Sequence, residues 1–196
     1  MSMASIFSDV VCRYFSDTGP SNTEAVLEAV SRRAEGSAIK KIVVATCSGR
    51  TALEARRKLN PGLQIIAVTH VTGFNGPDTQ ELTEENRGRL LAEGIVIQTS
   101  AHAFGGVGRG VRNKTGTYQT DEIIAYTLRM FGQGTKVAVE AALMAADAGL
   151  IRTDEDIISI GGTKEGADTA LMIKPSTSQQ CFDLKIREVV CKPSNR

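Results

Sequence analysis

Residues 41–69, KIVVATCSGRTALEARRKLNPGLQIIAVT, decide the fold of this chain. Two short runs of apolar, mostly β-branched residues, 42–45 and 65–68, lie on either side of a helical stripe formed by Ala52, Ala55 and Leu59. Continuous apolar runs of this length are typical of strands buried on both faces, as in a parallel sheet. The segment therefore predicts a strand–helix–strand unit of an α/β domain.

The same pattern recurs later in the chain. Residues 95–102 and 156–162 each read as a buried strand that ends in small or polar residues, and helical periodicity separates the strands. Two late strands are expected at 170–175 and 182–191, the second at an edge of the sheet, and Tyr14 and Phe15 suit a short edge strand. The alternation predicts a three-layer α/β/α sandwich with a mixed, mostly parallel sheet.

Composition excludes several classes of protein. The chain has 196 residues, of which 41% are hydrophobic and 23% charged, and the net charge is +1. A balanced charge and the absence of Trp argue against nucleic acid as a partner. No apolar run approaches the ~20 residues that a membrane span needs, and the first ten residues do not resemble a signal peptide. We therefore expect a cytoplasmic protein.

The cysteines and histidines predict no metal site. The four cysteines, Cys12, Cys47, Cys181 and Cys191, form no CxxC pair, and the only histidines are His70 and His102. A closed zinc site is not expected from this spacing. Reduced thiols are the simplest interpretation for a cytoplasmic chain.

Four predicted strands end in small, polar or basic residues, at 46–51, 69–70, 99–102 and 161–164, and both histidines lie among them. Ligands of open parallel sheets bind beyond the carboxyl ends of the strands. We therefore expect these four segments to converge on one ligand site.

Residues 46–51, TCSGRT, are the strongest candidate for ligand binding. Small residues between a strand and a helix allow backbone N–H groups to point at one anion, and the helix dipole favours negative charge there. The hydroxyls of this segment and the guanidinium of Arg50 add further donors. The alternative is a tight turn before a capped helix. Neither GxxxxGK[ST] nor GxGxxG occurs, so P-loop and Rossmann interpretations lack support.

Other residues near these strand ends suggest chemistry but leave alternatives open. Cys47 lies where a helix N-terminus lowers a thiol pKa, and His70 or His102 would be its base. The alternatives are a small residue filling a turn and two solvent-exposed histidines. The Gly-rich, basic stretch 104–114 has little periodicity and is expected to be a loop. Its alternatives are a flexible lid, an anion-binding nest or a solvated loop.

The quoted segment resembles the carboxy-terminal domain of pyruvate kinase, in which a strand enters an SGR[ST]A turn and a helix precedes an IIAVT strand. The similarity returns in residues 157–174, IISIGGTKEGADTALMIK, and covers roughly residues 38–175. It implies a sheet of about five strands in the order 3-2-1-4-5, the last antiparallel. On this basis the chain is one domain, 1–196, with an N-terminal extension and first helix (1–37), the family-like core (38–175) and a C-terminal edge strand (176–196).

The resemblance also implies a ligand. The family binds a sugar bisphosphate, with one phosphate in the turn that corresponds to Thr46, Cys47, Ser48, Gly49, Arg50 and Thr51, and residues 163–169 would cover it. Thr163 replaces the family's bulky aromatic, which argues against a sugar bisphosphate. Residues 1–37 and 71–120 resemble stand-alone proteins of this type, for which flavin mononucleotide (FMN) is a candidate ligand. The residues expected to contact it are His70, Phe74, His102, Gly105, Gly106, Arg109, Thr163, Gly166, Asp168 and Thr169.

Pyruvate kinase activity is not expected, because 196 residues cannot hold a barrel of ~250 residues as well as this domain. We expect a protein that binds a phosphate-bearing small molecule and self-associates, as the family domain does at its subunit interfaces. The alternative is an enzyme, either a flavin-dependent oxidoreductase or a small phosphate-handling enzyme, that uses His70, His102 or Cys47. No catalytic residue is assigned.

Overall fold

The computed structural model describes residues 7–194, which form one seven-stranded sheet and its flanking helices. The strands are β1 (Arg13–Phe15), β2 (Lys41–Ala45), β3 (Gln64–Thr69), β4 (Val96–Thr99), β5 (Ile157–Gly161), β6 (Thr169–Lys174) and β7 (Lys185–Pro193). The α-helices are α1 (Thr23–Ala34), α2 (Arg50–Lys58), α3 (Glu84–Ala92), α4 (Val107–Thr115), α5 (Thr120–Arg129) and α6 (Gln133–Asp147). Across residues 7–194, no helix combines the length and the apolar character needed to cross a bilayer.

The sheet has the strand order β1-β7-β6-β5-β2-β3-β4. Strands β5, β2, β3 and β4 are parallel, and β6 pairs antiparallel with β5. Counted from β2, the five strands from β4 to β6 follow the expected order 3-2-1-4-5 with the last antiparallel. The sheet is larger than the expected five strands because β7 and β1 extend it beyond β6.

The prediction that the C-terminal strand forms the edge of the sheet is wrong. Strand β7 pairs with β6 on one side and with β1 on the other, where Arg13 faces Cys191 and Phe15 faces Pro193. The N-terminal segment therefore supplies the edge, as Tyr14 and Phe15 suggested, and it satisfies the outer backbone groups of β7.

Side chains that alternate across the sheet divide the core into two layers. In β2, Ile42 and Val44 pack on the face covered by α1 and α2, whereas Val43 packs on the face covered by α5 and α6. Successive residues of a strand point to opposite faces, so a strand covered on both sides must be apolar throughout. The three-layer sandwich is confirmed.

The expected Gly-rich loop contains a helix. Residues 107–115 form α4, which begins after Gly106 and ends at Gly116, whose φ is 75°. The helix packs beside α5, where a Cβ on Gly108 would lie 2.7 Å from a carboxylate oxygen of Asp121. Contact with α5 therefore overrides the low helix propensity of the glycines.

We expect Gly161→Ala to destabilise the fold. A Cβ at this position would lie 2.7 Å from the backbone N of Ala138 in α6 and closer still to the carbonyl oxygen of Gly134. Because backbone atoms cannot rotate away, the free energy of unfolding should fall by about 1–3 kcal/mol. Urea denaturation measures this change.

Gly88→Ala is the matched control. Gly88 lies inside α3, and a Cβ there meets no atom within 4 Å. The higher helix propensity of Ala should raise the free energy of unfolding by about 1 kcal/mol. Equal effects of the two substitutions would contradict the close approach of α6 to β5.

Candidate functional site

The carboxyl ends of the parallel strands open into a cavity of about 410 Å³. Residues from the end of β2, the end of β3, the segment after β4 and the segment after β5 all line it, as the convergence of strand ends predicted. Among the residues expected to bind ligand, the following line the cavity: Thr46, Cys47, Ser48, Arg50, Thr51, His70, Phe74, His102, Arg109 and Gly166.

The turn formed by residues 46–51 has a fixed conformation. Thr46 Oγ1 accepts a hydrogen bond from the N–H of Gly49 at 3.1 Å, and Asn86 Nδ2 donates to the carbonyl of Ser48 at 2.8 Å. Gly49 precedes α2 with a φ of 90°, and a Cβ there would lie 2.9 Å from Leu82 Cδ1. Glycine is therefore required at position 49. Gly49 determines the path of the turn and does not itself line the cavity.

The first turn of α2 faces the cavity through Arg50 and Thr51. Backbone N–H groups of a first helical turn have no intrahelical partner, and the helix dipole adds about half a positive charge. The hydroxyls of Thr46, Ser48 and Thr51 belong to the same wall. This arrangement suits an anion.

Arg50 connects the 46–51 turn to the loop that follows β5. Its guanidinium pairs with Glu165 Oε2 at 2.5 Å, and its Nε donates to Ser48 Oγ at 3.3 Å. Both charged side chains are largely exposed. The ion pair therefore lies at the mouth of the cavity, between the turn and the expected cover, residues 163–169.

Only part of the cover segment reaches the cavity. Lys164, Glu165 and Gly166 line it, whereas Thr163, Asp168 and Thr169 do not. The buried carboxylate of Asp168 accepts hydrogen bonds from the N–H of Gly19 at 3.0 Å and from the hydroxyl of Thr169 at 2.8 Å. Asp168 and Thr169 thus anchor the segment and do not line the cavity.

Three ring side chains form one wall of the cavity. The rings of Phe74 and His102 are stacked, with centroids 5.1 Å apart and 17° between their planes. His70 lies 4.2 Å from Phe74 and 5.4 Å from His102. The guanidinium of Arg109 lies over Phe74 at 5.6 Å. Rings and a stacked cation of this kind provide a surface for a planar group.

Arg109 lines the cavity with a buried nitrogen that has no hydrogen-bond partner in the structure. Its Nε is buried and has no hydrogen-bond partner, and no ion pair involves its guanidinium within residues 7–194. Gly105 and Gly106 do not line the cavity; a Cβ on Gly105 would lie 2.9 Å from a terminal nitrogen of Arg109, so this glycine makes room for the guanidinium. The unpartnered nitrogen requires a partner from outside the chain or a water molecule.

Helix α6 contributes residues that the sequence did not indicate. Lys136 and Glu140 line the cavity, are almost fully buried and form an ion pair. Glu140 also accepts the N–H of Phe104 at 2.9 Å. Burial lowers the pKa of Lys136, which Glu140 partly offsets. Five further residues from the end of α5 and from α6 line the cavity, namely Arg129, Gln133, Val137, Ala141 and Met144.

Cys47 lies beside His70 and Glu81. Its Sγ is 3.5 Å from His70 Nε2, and His70 Nδ1 is 2.5 Å from Glu81 Oε2. The prediction of a lowered thiol pKa is wrong: burial, with the charges of Glu81 and Glu165, raises the pKa of Cys47 to about 11. The thiol is therefore protonated at neutral pH, and the three side chains offer atoms of the types that metals bind.

His102 is neutral near pH 7. Burial lowers its pKa from 6.5 to about 4, helped by His70, Lys136 and Arg109 and opposed by Glu140. Its Nε2 accepts the N–H of Val71 at 3.3 Å, which assigns the ring proton to Nδ1 on the side of Glu140. His102 therefore presents an uncharged ring to the cavity.

The described residues form an α/β sandwich with a cavity at the carboxyl ends of its parallel strands. Residues 24–174 match the family model described as pyruvate kinase, alpha/beta domain. Because the match covers well over half of the chain, the protein belongs to this family.

We expect acid to destabilise the protein through His102. Between pH 6.5 and about 4 the unfolded chain binds a proton that folded His102 does not bind. The free energy of unfolding should therefore fall as the pH falls through this window, by on the order of 3 kcal/mol from this group. Urea denaturation across the window measures the slope.

His102→Gln is the control, because its amide oxygen still accepts the N–H of Val71 but does not titrate. The difference between the two pH dependences isolates His102 from the carboxylates. Parallel curves for the wild type and the variant would contradict a depressed pKa.

Proposed function

We propose that the protein binds a phosphate-bearing small molecule, with the phosphate against residues 46–51. The observation that carries this proposal is that the first turn of α2, with the hydroxyls of Thr46, Ser48 and Thr51, opens into the cavity. Helix N-termini of this kind bind phosphate through their free N–H groups and dipole.

The charges of the cavity support an anionic ligand. Five lining residues are cationic, namely Arg50, Arg109, Arg129, Lys136 and Lys164. The acidic ones are Glu54, Glu140 and Glu165. Because Glu140 and Glu165 already pair with Lys136 and Arg50, Arg109 is the cation best placed to meet a second negative group.

FMN is the ligand that we propose to test first. Its phosphate would contact Thr46, Ser48, Arg50 and Thr51, and its planar ring would contact Phe74 and His102. The stacked rings and the buried, unpartnered Nε of Arg109 fit a planar, polar group. The cavity volume lies within the roughly 300–1,000 Å³ of ligand sites.

A second candidate is an enzyme that uses Cys47, His70 or His102. The 3.5 Å contact between Cys47 Sγ and His70 Nε2 favours it. FMN, when bound, supplies hydride or electron transfer, and oxidation of reduced nicotinamide by FMN-loaded protein would support an oxidoreductase. Phosphate release from phosphomonoesters would support a phosphate-handling enzyme. Turnover that survives substitution of all three residues would contradict both.

Arg50→Glu tests the phosphate site. Reversal of the charge beside the phosphate should weaken binding of FMN and of inorganic phosphate by roughly tenfold or more, since a charged hydrogen bond contributes about 1.5–3 kcal/mol. Fluorescence titration measures the binding of FMN, and its displacement measures the binding of inorganic phosphate. Arg109→Gln should weaken FMN binding as well.

Two controls separate the phosphate site from other effects. Arg57→Glu makes the same charge change on the exposed face of α2, away from the cavity, and should leave affinity unchanged. Glu165→Gln breaks the ion pair of Arg50 without charge reversal and should bind as tightly as the wild type. Equal losses in Arg50→Glu and Arg57→Glu, or no binding of either ligand by the wild type, would overturn the proposal.

We also propose that the protein self-associates in a reducing, cytoplasmic setting, in which its four free cysteines would persist. The edge strand β1 has only three residues and exposes Tyr14, and Val11 just before it is 94% exposed. Tyr14→Lys should shift the assembly toward monomer because charge opposes edge pairing. Light scattering at micromolar concentration measures this, and a monomeric wild type would contradict it.

A further inference from the structure

Cys47, His70 and Glu81 come together from three separate segments. Cys47 belongs to the turn after β2, His70 follows β3, and Glu81 precedes α3. The ligand-type atoms of the three side chains all lie within 4.8 Å of one another, and each side chain is half-buried. The proposed phosphate contacts do not involve His70 or Glu81, so the cluster needs its own explanation.

The segment that carries Glu81 is held against the end of β3. Gln80 Nε2 donates to the carbonyl of His70 at 3.2 Å, and Gln80 Oε1 accepts the N–H of Leu82 at 3.0 Å. The 46–51 turn is fixed on the other side by Asn86. The three side chains therefore approach one another before any ligand binds, which lowers the cost of forming a site.

The contact between Cys47 and His70 has the dimensions of a metal site. A tetrahedral zinc ion with Zn–S of about 2.3 Å and Zn–N of about 2.0 Å separates sulfur and nitrogen by roughly 3.5 Å. Cys47 Sγ and His70 Nε2 are 3.5 Å apart. Glu81 Oε2 lies 2.5 Å from His70 Nδ1 and holds the ring with Nε2 toward Cys47, so only the other carboxylate oxygen of Glu81 is available to coordinate an ion.

We propose that Cys47, His70 and Glu81 bind a divalent, borderline-soft metal ion of the zinc type. A ligand set of sulfur, nitrogen and oxygen favours zinc over magnesium or calcium. Cys47 and His70 line the cavity, so an ion bound to them would be within reach of an anion in the cavity.

A proton relay from Cys47 through His70 to Glu81 is the competing arrangement. In a linear relay the thiol and the carboxylate lie along the lone pairs of opposite ring nitrogens, which places sulfur and oxygen far apart. Cys47 Sγ and Glu81 Oε2 do contact opposite nitrogens, Nε2 and Nδ1, so the two arrangements differ in how close sulfur lies to a carboxylate oxygen. Here sulfur, ring nitrogen and carboxylate oxygen surround one small volume. This compact arrangement favours a shared ion over transfer of a proton.

Calorimetric titration of the full chain with Zn²⁺ alone, without any phosphate compound, tests the proposal. We expect one ion per chain, proton release from the thiol and a higher unfolding temperature in zinc. Replacement by Co²⁺ should give a thiolate-to-cobalt charge-transfer absorption. Cys47→Ser and His70→Gln should abolish that absorption, and Glu81→Gln should weaken zinc binding by roughly 10- to 100-fold.

Cys181→Ser is the matched control, because Cys181 is also a half-buried free thiol but lies elsewhere. Circular dichroism confirms that each variant is folded. Zinc binding that persists in folded Cys47→Ser overturns the proposal. The proposal is also overturned if the wild type does not bind zinc and alkylation of Cys47 depends on His70. That result would indicate the proton relay instead. FMN affinity measured after chelation tests the phosphate site separately.

Discussion

The parallel alignment of β2, β3, β4 and β5 is the constraint on which the rest of the structure depends. Four segments that are far apart in sequence end at one edge of the sheet only because their strands run in the same direction. The cavity, its ring wall and its anion-suited turn all result from this one alignment. The two apolar layers that cover the sheet maintain it, since every residue of β5 is buried.

The sequence predicted correctly those elements whose burial shows as an apolar pattern within a short stretch of residues. Strands β2 and β3 are apolar without interruption because helices cover both faces, and this pattern is visible in any short window. The position of β7 depends instead on its pairing with β1, and the sequence predicted each as an edge strand without showing that the two pair with each other. Helix α4 depends on contact with α5, which glycine-rich sequence cannot reveal.

The candidate site also contains residues that the sequence indicated and residues that it did not. Residues 46–51 are consecutive, so their small side chains and hydroxyls predicted an anion-binding turn, and five of the six line the cavity. Lys136 and Glu140 have the four-residue spacing of ordinary exposed helix pairs, so nothing in the sequence shows that they are buried. For Cys47, the position beside a helix N-terminus suggested a lowered pKa, whereas burial and the charges of Glu81 and Glu165 raise the pKa of the thiol.

The cover segment is held more firmly at its base than at its tip. Asp168 is tied to Gly19, and the N–H of Ala167 donates to Thr23 Oγ1 at 3.0 Å, so the base of the segment is fastened to the amino-terminal part of the domain. At its tip, the contact to the opposite wall is the exposed pair of Arg50 and Glu165, and exposed pairs contribute at most about 1 kcal/mol. The segment is thus fixed by buried hydrogen bonds at its base and held at its tip by an exposed ion pair. Salt screens an exposed ion pair of this kind, so ionic strength weakens the contact between the tip of this segment and the 46–51 turn while the buried anchors at its base persist.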